Sequence, residues 1–371
     1  MQYPKNYTVI GAGNGGKAMA AHLALMGKNV TLYNRTFSHI EVISKRKGID
    51  LESYPGGPQG FGPIPLATSE VEEAISNAQV IMVVVPSSGH ANIAKKVAPY
   101  VKDGQIILLN PGRTFGAIEF DMVMRKEGCQ ADAILAEAET FIYASRADGP
   151  AQARIFRIKE AVPIAALPAN KTTHVLEAIE DVYPQFIEGQ DVLHTGMNNM
   201  GAIFHPALTI LNAGRIESTH GDFEFYIDGV TPSVGYVLEA LDRERVTVAS
   251  ALGIRARTSL EWLELAYNVK GRDLHEAIHN QTGYYGIKAP STLMHRYIFE
   301  DVPMSLVPIV SLGKQYGISV RGMESMIRLA CIIHKTDYYR TGRTVEKLGI
   351  KDLSISELNQ YVKEGLPKGM A

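Results

Sequence analysis

Apolar runs and helical spacings alternate along the first half of the chain. Strand-like runs rich in apolar and β-branched residues occupy residues 7–10, 29–33, 80–85, 105–109 and 133–136. Between them, the apolar spacing predicts helices at residues 17–26, 91–100 and 115–126, and a more polar helix from about Ser38. Nearly continuous apolar strands separated by helices are typical of a parallel sheet that is covered on both faces. The first half is therefore predicted to be a doubly wound α/β domain.

The strand signal almost disappears after about Asp191. Helical patterns replace it at residues 198–217, 233–252, 260–267, 305–315 and 321–335. The Pro- and Gly-rich stretch 54–63 lies inside the α/β half, where it predicts an irregular loop and not a linker between domains. We therefore expect two domains, residues 1–185 and residues 186–371, of which the second is all-helical.

Composition and charge narrow the classes of partner. Lys plus Arg number 37 and Asp plus Glu number 39, so the formal net charge of −2 gives no electrostatic reason to expect a nucleic-acid partner. The two cysteines, Cys129 and Cys331, fit a reducing compartment better than a disulfide framework. No apolar signal core precedes the first strand, and no apolar run is long enough to span a membrane. A cytoplasmic protein without a membrane partner is expected.

The first chemical motif directly follows the first strand. Gly11, Gly13, Asn14, Gly15 and Gly16 belong to the stretch GAGNGG, which matches G-x-G-x-x-G and leads into a predicted helix. Glycines in this position allow a tight turn and let backbone N–H groups approach a pyrophosphate at the helix N-terminus. A glycine-rich turn without a ligand is the alternative. The order strand, turn, helix, strand favours a dinucleotide site.

The end of the second strand indicates which dinucleotide binds. NAD sites usually have Asp or Glu there, which bonds the ribose 2′-hydroxyl. This chain instead has Asn34, Arg35 and Thr36. An uncharged residue followed by a cation suits a 2′-phosphate, so NADP(H) is favoured and NAD(H) is possible. The alternative is that Arg35 is a solvated surface residue.

Two later strand ends are expected to border the nicotinamide half of the cofactor. They are marked by Pro86 and by the pair Asn110 and Gly112. In an open α/β sheet the ligand lies beyond the carboxyl ends of the strands. Ordinary turns between strand and helix have the same composition, and that alternative stays open.

The helical half contains the candidate chemistry. His205 precedes Pro206 inside the apolar run 201–210, where the proline is expected to kink the helix. A histidine there is either a satisfied core side chain or a group that exchanges protons. Arg296 and Asp301 lie in another apolar segment, where an arginine can hold a carboxylate and an aspartate can orient a histidine. A salt-bridged helix end is the alternative for this segment.

Five motifs in order resemble the opine dehydrogenases, the family of octopine and nopaline dehydrogenases and of N-(1-carboxyethyl)-norvaline dehydrogenase. They occupy residues 11–16, 192–195, 199–206, 228–233 and 296–301. The resemblance implies a Rossmann domain, an all-helical domain and an active site in the cleft between them. It also implies a catalytic pair of His205 and Asp301, a carboxylate anchor at Arg296 and a polar residue near the nicotinamide at Asn199. The chain departs from several NAD-using members at Asn34, where they have an acidic residue.

The reaction that the resemblance implies is a reductive condensation. The amine of an amino acid attacks an α-keto acid such as pyruvate, water leaves, and hydride reduces the imine to an N-(carboxyalkyl)amino acid. The amine must lose a proton to attack, and the carbinolamine oxygen must gain one to leave, so a single histidine can serve both steps. Arg113 and Arg146 are weaker candidates for holding the second substrate carboxylate, and surface charge is the favoured interpretation of each. No metal site is expected. The protein is expected to form a homodimer.

Two other functions remain open on the sequence. Reductases of the glycerol-3-phosphate, ketopantoate and hydroxyacid groups have the same two-domain layout, but they resemble one another in using a lysine near the start of the second domain. This chain has no lysine between Lys171 and Lys270. The other alternative is a dinucleotide-binding sensor without turnover, against which the combination of His205, Arg296 and Asp301 counts.

Overall fold

The structure of the protein is a computed structural model that describes residue 3 and residues 5–365. The chain forms two compact units, one that extends to Thr195 and resumes at Ser356, and one of Gly196–Ile355. This division comes later than the boundary expected near residue 185. The reason is that a strand at Phe186–Glu188 pairs with Val162–Leu167 and continues the first sheet past that point.

All named strands within residues 5–365 belong to the first unit. They are β1 (Asn6–Ile10), β2 (Asn29–Tyr33), β3 (Gly48–Ser53), β4 (Gly60–Pro63), β5 (Leu66–Thr68), β6 (Val80–Val83), β7 (Ile106–Leu109), β8 (Ile134–Ala138), β9 (Tyr143–Gly149), β10 (Gln152–Ile158), β11 (Val162–Leu167) and β12 (Phe186–Glu188).

The main sheet has the strand order β12-β11-β8-β7-β6-β1-β2-β5. The six strands from β8 to β5 are parallel to their neighbours, which confirms the predicted parallel sheet. Every residue of β6 and β7 is buried, as their uninterrupted apolar sequences require. At the far edge, β11 pairs antiparallel with β8 and β12 pairs parallel with β11.

A second sheet of four strands, in the order β4-β3-β10-β9, was not predicted. The stretch 54–63, expected to be an irregular loop, connects β3 to β4 and ends as strand Gly60–Pro63. The helix that follows β1 packs against strands of both sheets. The absence of a side chain on Gly62 of β4 makes this approach possible, because a Cβ there would lie 2.7 Å from the carbonyl oxygen of Ala21 in the helix.

The helices of the first unit connect these strands. They are α1 (Asn14–Leu25), α2 (Glu41–Arg46), α3 (Val71–Ile75), α4 (His90–Val97), α5 (Gly116–Lys126) and α6 (Thr172–Ile179), followed by α7 (Val192–Met197) at the division between the units.

The second unit is helical. It contains α8 (Gly201–Leu211), α9 (Ala213–Thr219), α10 (Pro232–Ala251), α11 (Ser259–Tyr267), α12 (Leu274–Asn280), α13 (Arg296–Phe299), a π-helical turn (Val302–Leu306), α14 (Val307–Gln315), α15 (Arg321–His334) and α16 (Tyr338–Thr341). Helix α17 (Ile355–Glu364) follows these helices in the sequence but belongs to the first unit from Ser356. The predicted order of an α/β domain followed by a helical domain is confirmed.

One local expectation needs correction. The helix predicted over 198–217 is interrupted at Asn212, which separates α8 from α9 with φ −105° and ψ 15°. Pro206, where a kink is predicted, lies inside α8. Among residues 5–365, no helix combines the length and the hydropathy needed to cross a bilayer.

Candidate active site

The glycines of the loop between β1 and α1 differ in their backbone conformation and in the space around them. Gly11 has φ 115°, and a Cβ there would lie 2.3 Å from the carbonyl oxygen of Val84. A Cβ on Gly16 would lie 1.7 Å from the carbonyl oxygen of Gly11, so both glycines are required by packing. A Cβ on Gly13 would meet no atom within 4 Å. The space beside Gly13 is therefore open.

The N-terminus of α1 faces the same loop. Gly13 is the N-cap residue and offers no side-chain acceptor, and no acidic residue lies in the first turn. The carboxamide of Asn14 is turned aside, since its Oδ1 accepts a hydrogen bond of 3.0 Å from the backbone of Ala147. A Cβ on Gly15 would lie 2.6 Å from the ring of Phe141. Free helix-terminal N–H groups beside an open glycine fit a dinucleotide pyrophosphate.

Asn34 joins the end of β2 to the glycine loop. Its Oδ1 accepts a hydrogen bond of 3.3 Å from the backbone N–H of Ala12, and its Nδ2 donates at 2.9 Å to the carbonyl of Thr36. Arg35 and Thr36 themselves are exposed. The amide therefore braces the loop, and the cation beside it is accessible.

A carboxylate that sequence reasoning missed lies near the same strand end. Burial raises the pKa of Tyr33, Glu70 raises it further, and Arg35 opposes the rise. Glu70 follows β5, which is the sheet neighbour of β2. Only the order of strands in the sheet brings this acid near the end of β2, and no sequence motif indicates it.

The residues predicted at the two later strand ends differ in their exposure and contacts. Pro86 is exposed and follows β6, which ends at Val83. Asn110 is 2% exposed, and its Nδ2 donates to the carbonyl of Leu108 at 2.9 Å, so its side chain is directed into the protein. A Cβ on Gly112 would lie 2.4 Å from Oε2 of Glu137, which explains the glycine by packing.

Glu137 is a buried anchor at the end of β8. It is fully buried and accepts hydrogen bonds from the backbone of Ala117 at 2.7 Å and from Oγ1 of Thr195 at 2.6 Å. The first holds the N-terminal turn of α5, and the second holds α7. Sequence reasoning did not identify this residue, because a lone glutamate at a strand end has no recognisable pattern.

His205 and Asp301 form a hydrogen-bonded pair in the helical unit. Nδ1 of His205, on α8, lies 2.9 Å from Oδ2 of Asp301, which precedes the π-helical turn. The Asp301 side chain is fully buried, whereas that of His205 is 20% exposed. Since a carboxylate only accepts, Nδ1–H donates to Asp301 and Nε2 carries the exchangeable lone pair.

Aromatic rings fix the plane of the imidazole. Tyr297 stacks on His205 with ring centroids 4.1 Å apart and an interplanar angle of 18°, and Phe225 stacks on the other side of Tyr297. His295 contacts the edge of Tyr297 at 4.4 Å. Burial lowers the pKa of His295, and Arg296 and His205 lower it further. Neither Tyr297 nor His295 was predicted from the sequence.

Arg296 lies beside this pair at the start of α13. Its Nε is 2.9 Å from Oε2 of Glu300, and the arginine side chain is 50% exposed while Glu300 is 2% exposed. The alternative of a salt-bridged helix end is therefore correct for Nε. The terminal nitrogens of the exposed guanidinium are the part that can hold a carboxylate in a bidentate geometry.

Asn199 is 4% exposed, and its Nδ2 donates to Oγ of Ser305 at 2.9 Å. Ser305 belongs to the π-helical turn that follows Asp301. The polar residue thus ties the segment before α8 to the turn that carries the carboxylate.

The sequence of the helical unit matches a known family. Residues 188–334 match the family described as NAD/NADP octopine/nopaline dehydrogenase, alpha-helical domain. The opine dehydrogenase of Arthrobacter sp. (strain 1C) is 37% identical over 359 residues, which covers 97% of this chain and 99% of the relative. This chain belongs to the opine dehydrogenase family.

Members of this family share the fold over nearly the whole chain. A structure of octopine dehydrogenase with NADH and L-arginine has a TM-score of 0.81 and covers 95% of this chain and 97% of its own, at 19% identity. A structure of yersinopine dehydrogenase with NADP⁺ has a TM-score of 0.77 and covers 97% and 98%, at 13% identity. At these identities the likeness shows the fold alone.

The first unit of this opine dehydrogenase homologue has a family match of its own. Residues 6–110 match the family described as NAD-dependent glycerol-3-phosphate dehydrogenase N-terminus. The Rossmann-type domain, the opine dehydrogenase resemblance and an NAD(P)H-dependent oxidoreductase are thereby confirmed. The glycerol-3-phosphate likeness is limited to the dinucleotide-binding part, which explains why that class of reductase was an alternative.

Proposed function

We propose that the chain catalyses the reductive condensation of an amino acid with an α-keto acid, using the residues described above. Octopine dehydrogenase structures hold NADH with L-arginine and with pyruvate, an amine-bearing and a carbonyl-bearing substrate. The observation that carries the proposal is the His205–Asp301 pair, because a partly accessible imidazole hydrogen-bonded to a buried carboxylate can exchange protons with a substrate.

His205 acts through Nε2. The neutral imidazole removes a proton from the substrate ammonium, which frees the amine to attack the keto carbon. The imidazolium then returns the proton to the carbinolamine oxygen, which leaves as water. Asp301 keeps the Nδ1–H tautomer and stabilises the imidazolium between the two steps. The stack on Tyr297 fixes the ring plane through both.

Arg296 holds a substrate carboxylate, and Asn199 supports the pair. The exposed end of the Arg296 guanidinium supplies parallel N–H donors, while Glu300 fixes its Nε side. Asn199 is proposed to lie near the nicotinamide. Its hydrogen bond to Ser305 supports a positioning role for the turn that follows Asp301.

The first unit holds the cofactor. Gly11, Gly13, Gly15 and Gly16 with the N-terminus of α1 fit its pyrophosphate, and the bound dinucleotide supplies the hydride that reduces the imine. The family has NADH-bound and NADP⁺-bound members. We propose that this chain prefers NADP(H), since Arg35 is exposed beside the uncharged Asn34.

A matrix of amino acids and α-keto acids, with NADPH and NADH oxidation as the readout, tests the proposal. Condensation requires both substrates, so omission of either must abolish oxidation. Turnover with a keto acid alone would indicate a hydroxyacid-type reductase. Cofactor binding without any turnover would indicate the dinucleotide sensor and overturn the proposed reaction.

A homodimer in the cytoplasm is part of the proposal. The helical unit leaves apolar side chains on α15 exposed, Ile332 at 72% and Leu329 at 40%, which supports an interface with a second copy. Light scattering of the purified protein measures the mass directly. A monomer at micromolar concentration would contradict this point and leave the reaction unaffected.

A further inference from the structure

Three segments of the first unit bring polar side chains to one edge of the main sheet. Arg113 follows β7 and Thr140 follows β8, so both lie beyond carboxyl ends of parallel strands. β11 runs antiparallel to β8 with Ile164 opposite Ala138, which places the residues just before β11 beside the end of β8. Lys159 is one of these residues, and its Nζ donates to Oγ1 of Thr140 at 2.6 Å.

Lys159 lies among other charged side chains. Burial lowers the pKa of Lys159 to about 8, Arg113 lowers it further, and Glu139 opposes the shift. An ammonium has three donors, and within residues 5–365 the Lys159 ammonium has one hydrogen bond, to Thr140. A half-buried cation beside a second cation is suited to an anionic ligand.

The position of Lys159 at this edge of the sheet indicates which substrate this cationic site binds. The glycine loop and Asn34 lie at β1 and β2, and β7 and β8 lie on the opposite side of β6 from them. In such a sheet the nicotinamide half of a dinucleotide extends over these later strands. The carbon that receives hydride comes from the keto acid, whose carboxylate is bonded directly to it. A cationic site at this edge therefore matches the keto acid and not the amino acid.

We propose that Lys159 and Arg113 hold the carboxylate of the α-keto acid substrate. This inference rests on the proposed function, and it gives the two substrate carboxylates separate anchors, Arg296 for the amino acid and the Lys159–Arg113 site for the keto acid. Neither the family match nor any motif assigns a role to Lys159.

Steady-state kinetics of three variants test the site. Lys159→Met keeps the length of the side chain and removes the charge, Lys159→Arg keeps the charge, and Lys95→Met removes an exposed lysine of α4 as a control. In Lys159→Met the KM of the keto acid should rise about tenfold to a hundredfold, the effect of one charge-assisted hydrogen bond. The KM of the amino acid should stay within about twofold. Lys159→Arg and Lys95→Met should keep a keto-acid KM close to the parent value.

The pH dependence separates binding from a structural role. Lys159 loses its proton as the pH rises through about 8, so the keto-acid KM of the parent should increase about tenfold from pH 7 to 9 relative to that of Lys159→Arg. Ionisation of the amino acid and of His205 affects both proteins equally and cancels in this ratio. A constant ratio, or equal losses for both substrates in Lys159→Met, would overturn the inference.

Direct binding keeps this test independent of turnover. Pyruvate is titrated calorimetrically into the protein saturated with its oxidised cofactor, at pH 8 in two buffers of different ionisation enthalpy. Binding with proton uptake in the parent, and loss of both in Lys159→Met, supports the anion site even if no amine turns over. No pyruvate binding, or equal binding to Lys159→Met, overturns it, whereas failure of the substrate matrix alone overturns only the proposed reaction.

Discussion

Replacement of Asp301 by Asn isolates the charge of the buried partner of His205. The amide has the same shape, and Nδ1 of His205 lies 2.9 Å from the oxygen that is changed. Two unit charges at 2.9 Å attract by about 6 kcal/mol at an effective dielectric constant of 20. Desolvation of the buried pair offsets part of this attraction, and we expect about 3–4 kcal/mol to be lost when the imidazolium forms.

This loss falls on the chemical step. About 3–4 kcal/mol corresponds to a kcat that is roughly a hundredfold to a thousandfold lower. The KM values of both substrates and the affinity for the cofactor should change little, because Asp301 is fully buried and touches none of them in this proposal. Initial rates of NADPH oxidation at saturating substrate, normalised to folded protein by circular dichroism, measure the effect.

The chain supplies a matched control in its other unit. Nδ1 of His194 lies 2.9 Å from Oδ1 of Asp191, the same pairing at the same distance, with the aspartate side chain 3% exposed. Asp191→Asn should leave kcat within about twofold of the parent value, since this pair has no role in proton exchange. Equal losses of kcat in the two variants, or an unchanged kcat in Asp301→Asn, would refute the reasoning.

The remaining predictions address the other parts of the site. His205→Ala should lower kcat by roughly two to four orders of magnitude with cofactor affinity unchanged, and near-normal turnover would contradict its role. Arg296→Lys should raise the KM of the amino acid because the bidentate fork is lost; a lower melting temperature with unchanged kinetics would indicate a purely structural ion pair. Asn34→Asp combined with Arg35→Ile should reverse a roughly tenfold to hundredfold preference for NADPH over NADH in kcat/KM, and a parent that prefers NADH would contradict the assignment. Burial would raise the pKa of Asp191, but hydrogen bonds from His194 and two backbone N–H groups lower it overall, so its stabilising effect is complete above the unfolded-state pKa of about 4 and is lost as the pH falls through the folded value. Denaturant titrations of the parent and Asp191→Asn should therefore converge at low pH, and a constant difference would contradict the linkage.

The main sheet was predictable because its central strands are apolar at every position. β6 and β7 are buried throughout, and short apolar runs such as VIMV between helical patterns are typical of the central strands of a parallel sheet. The second sheet escaped prediction for the opposite reason. Alternate residues of β9 are exposed, among them charged ones such as Arg146, so its pattern resembles that of a polar surface segment. Its pairing with β10 and β3 depends on tertiary contacts.

Parts of the candidate site also differ in how far they could be predicted from the sequence. The glycine loop is local in sequence, so its spacing and its context were sufficient to predict it. His205 and Asp301 are 96 residues apart, and only the family resemblance joined them. Thr140 follows β8 and Lys159 precedes β11, and their proximity follows from the antiparallel pairing of these two strands. The interruption at Asn212 could not be predicted from local spacing, since the apolar pattern continues across it.

The last helix has a consequence for the order in which the protein is made. α17 belongs to the first unit, where the hydroxyl of Tyr361 donates to Asp121 at 2.9 Å across 240 positions of sequence. A ribosome delivers residues 356–365 after the entire helical unit, so the dinucleotide-binding unit cannot finish folding before the helical unit has been synthesised. The helical unit is complete first, although the other unit is started first. In a nascent chain stalled before Ser356, α5 should thus lack its contact with Tyr361, and this incomplete part of the first unit should be accessible to a chaperone.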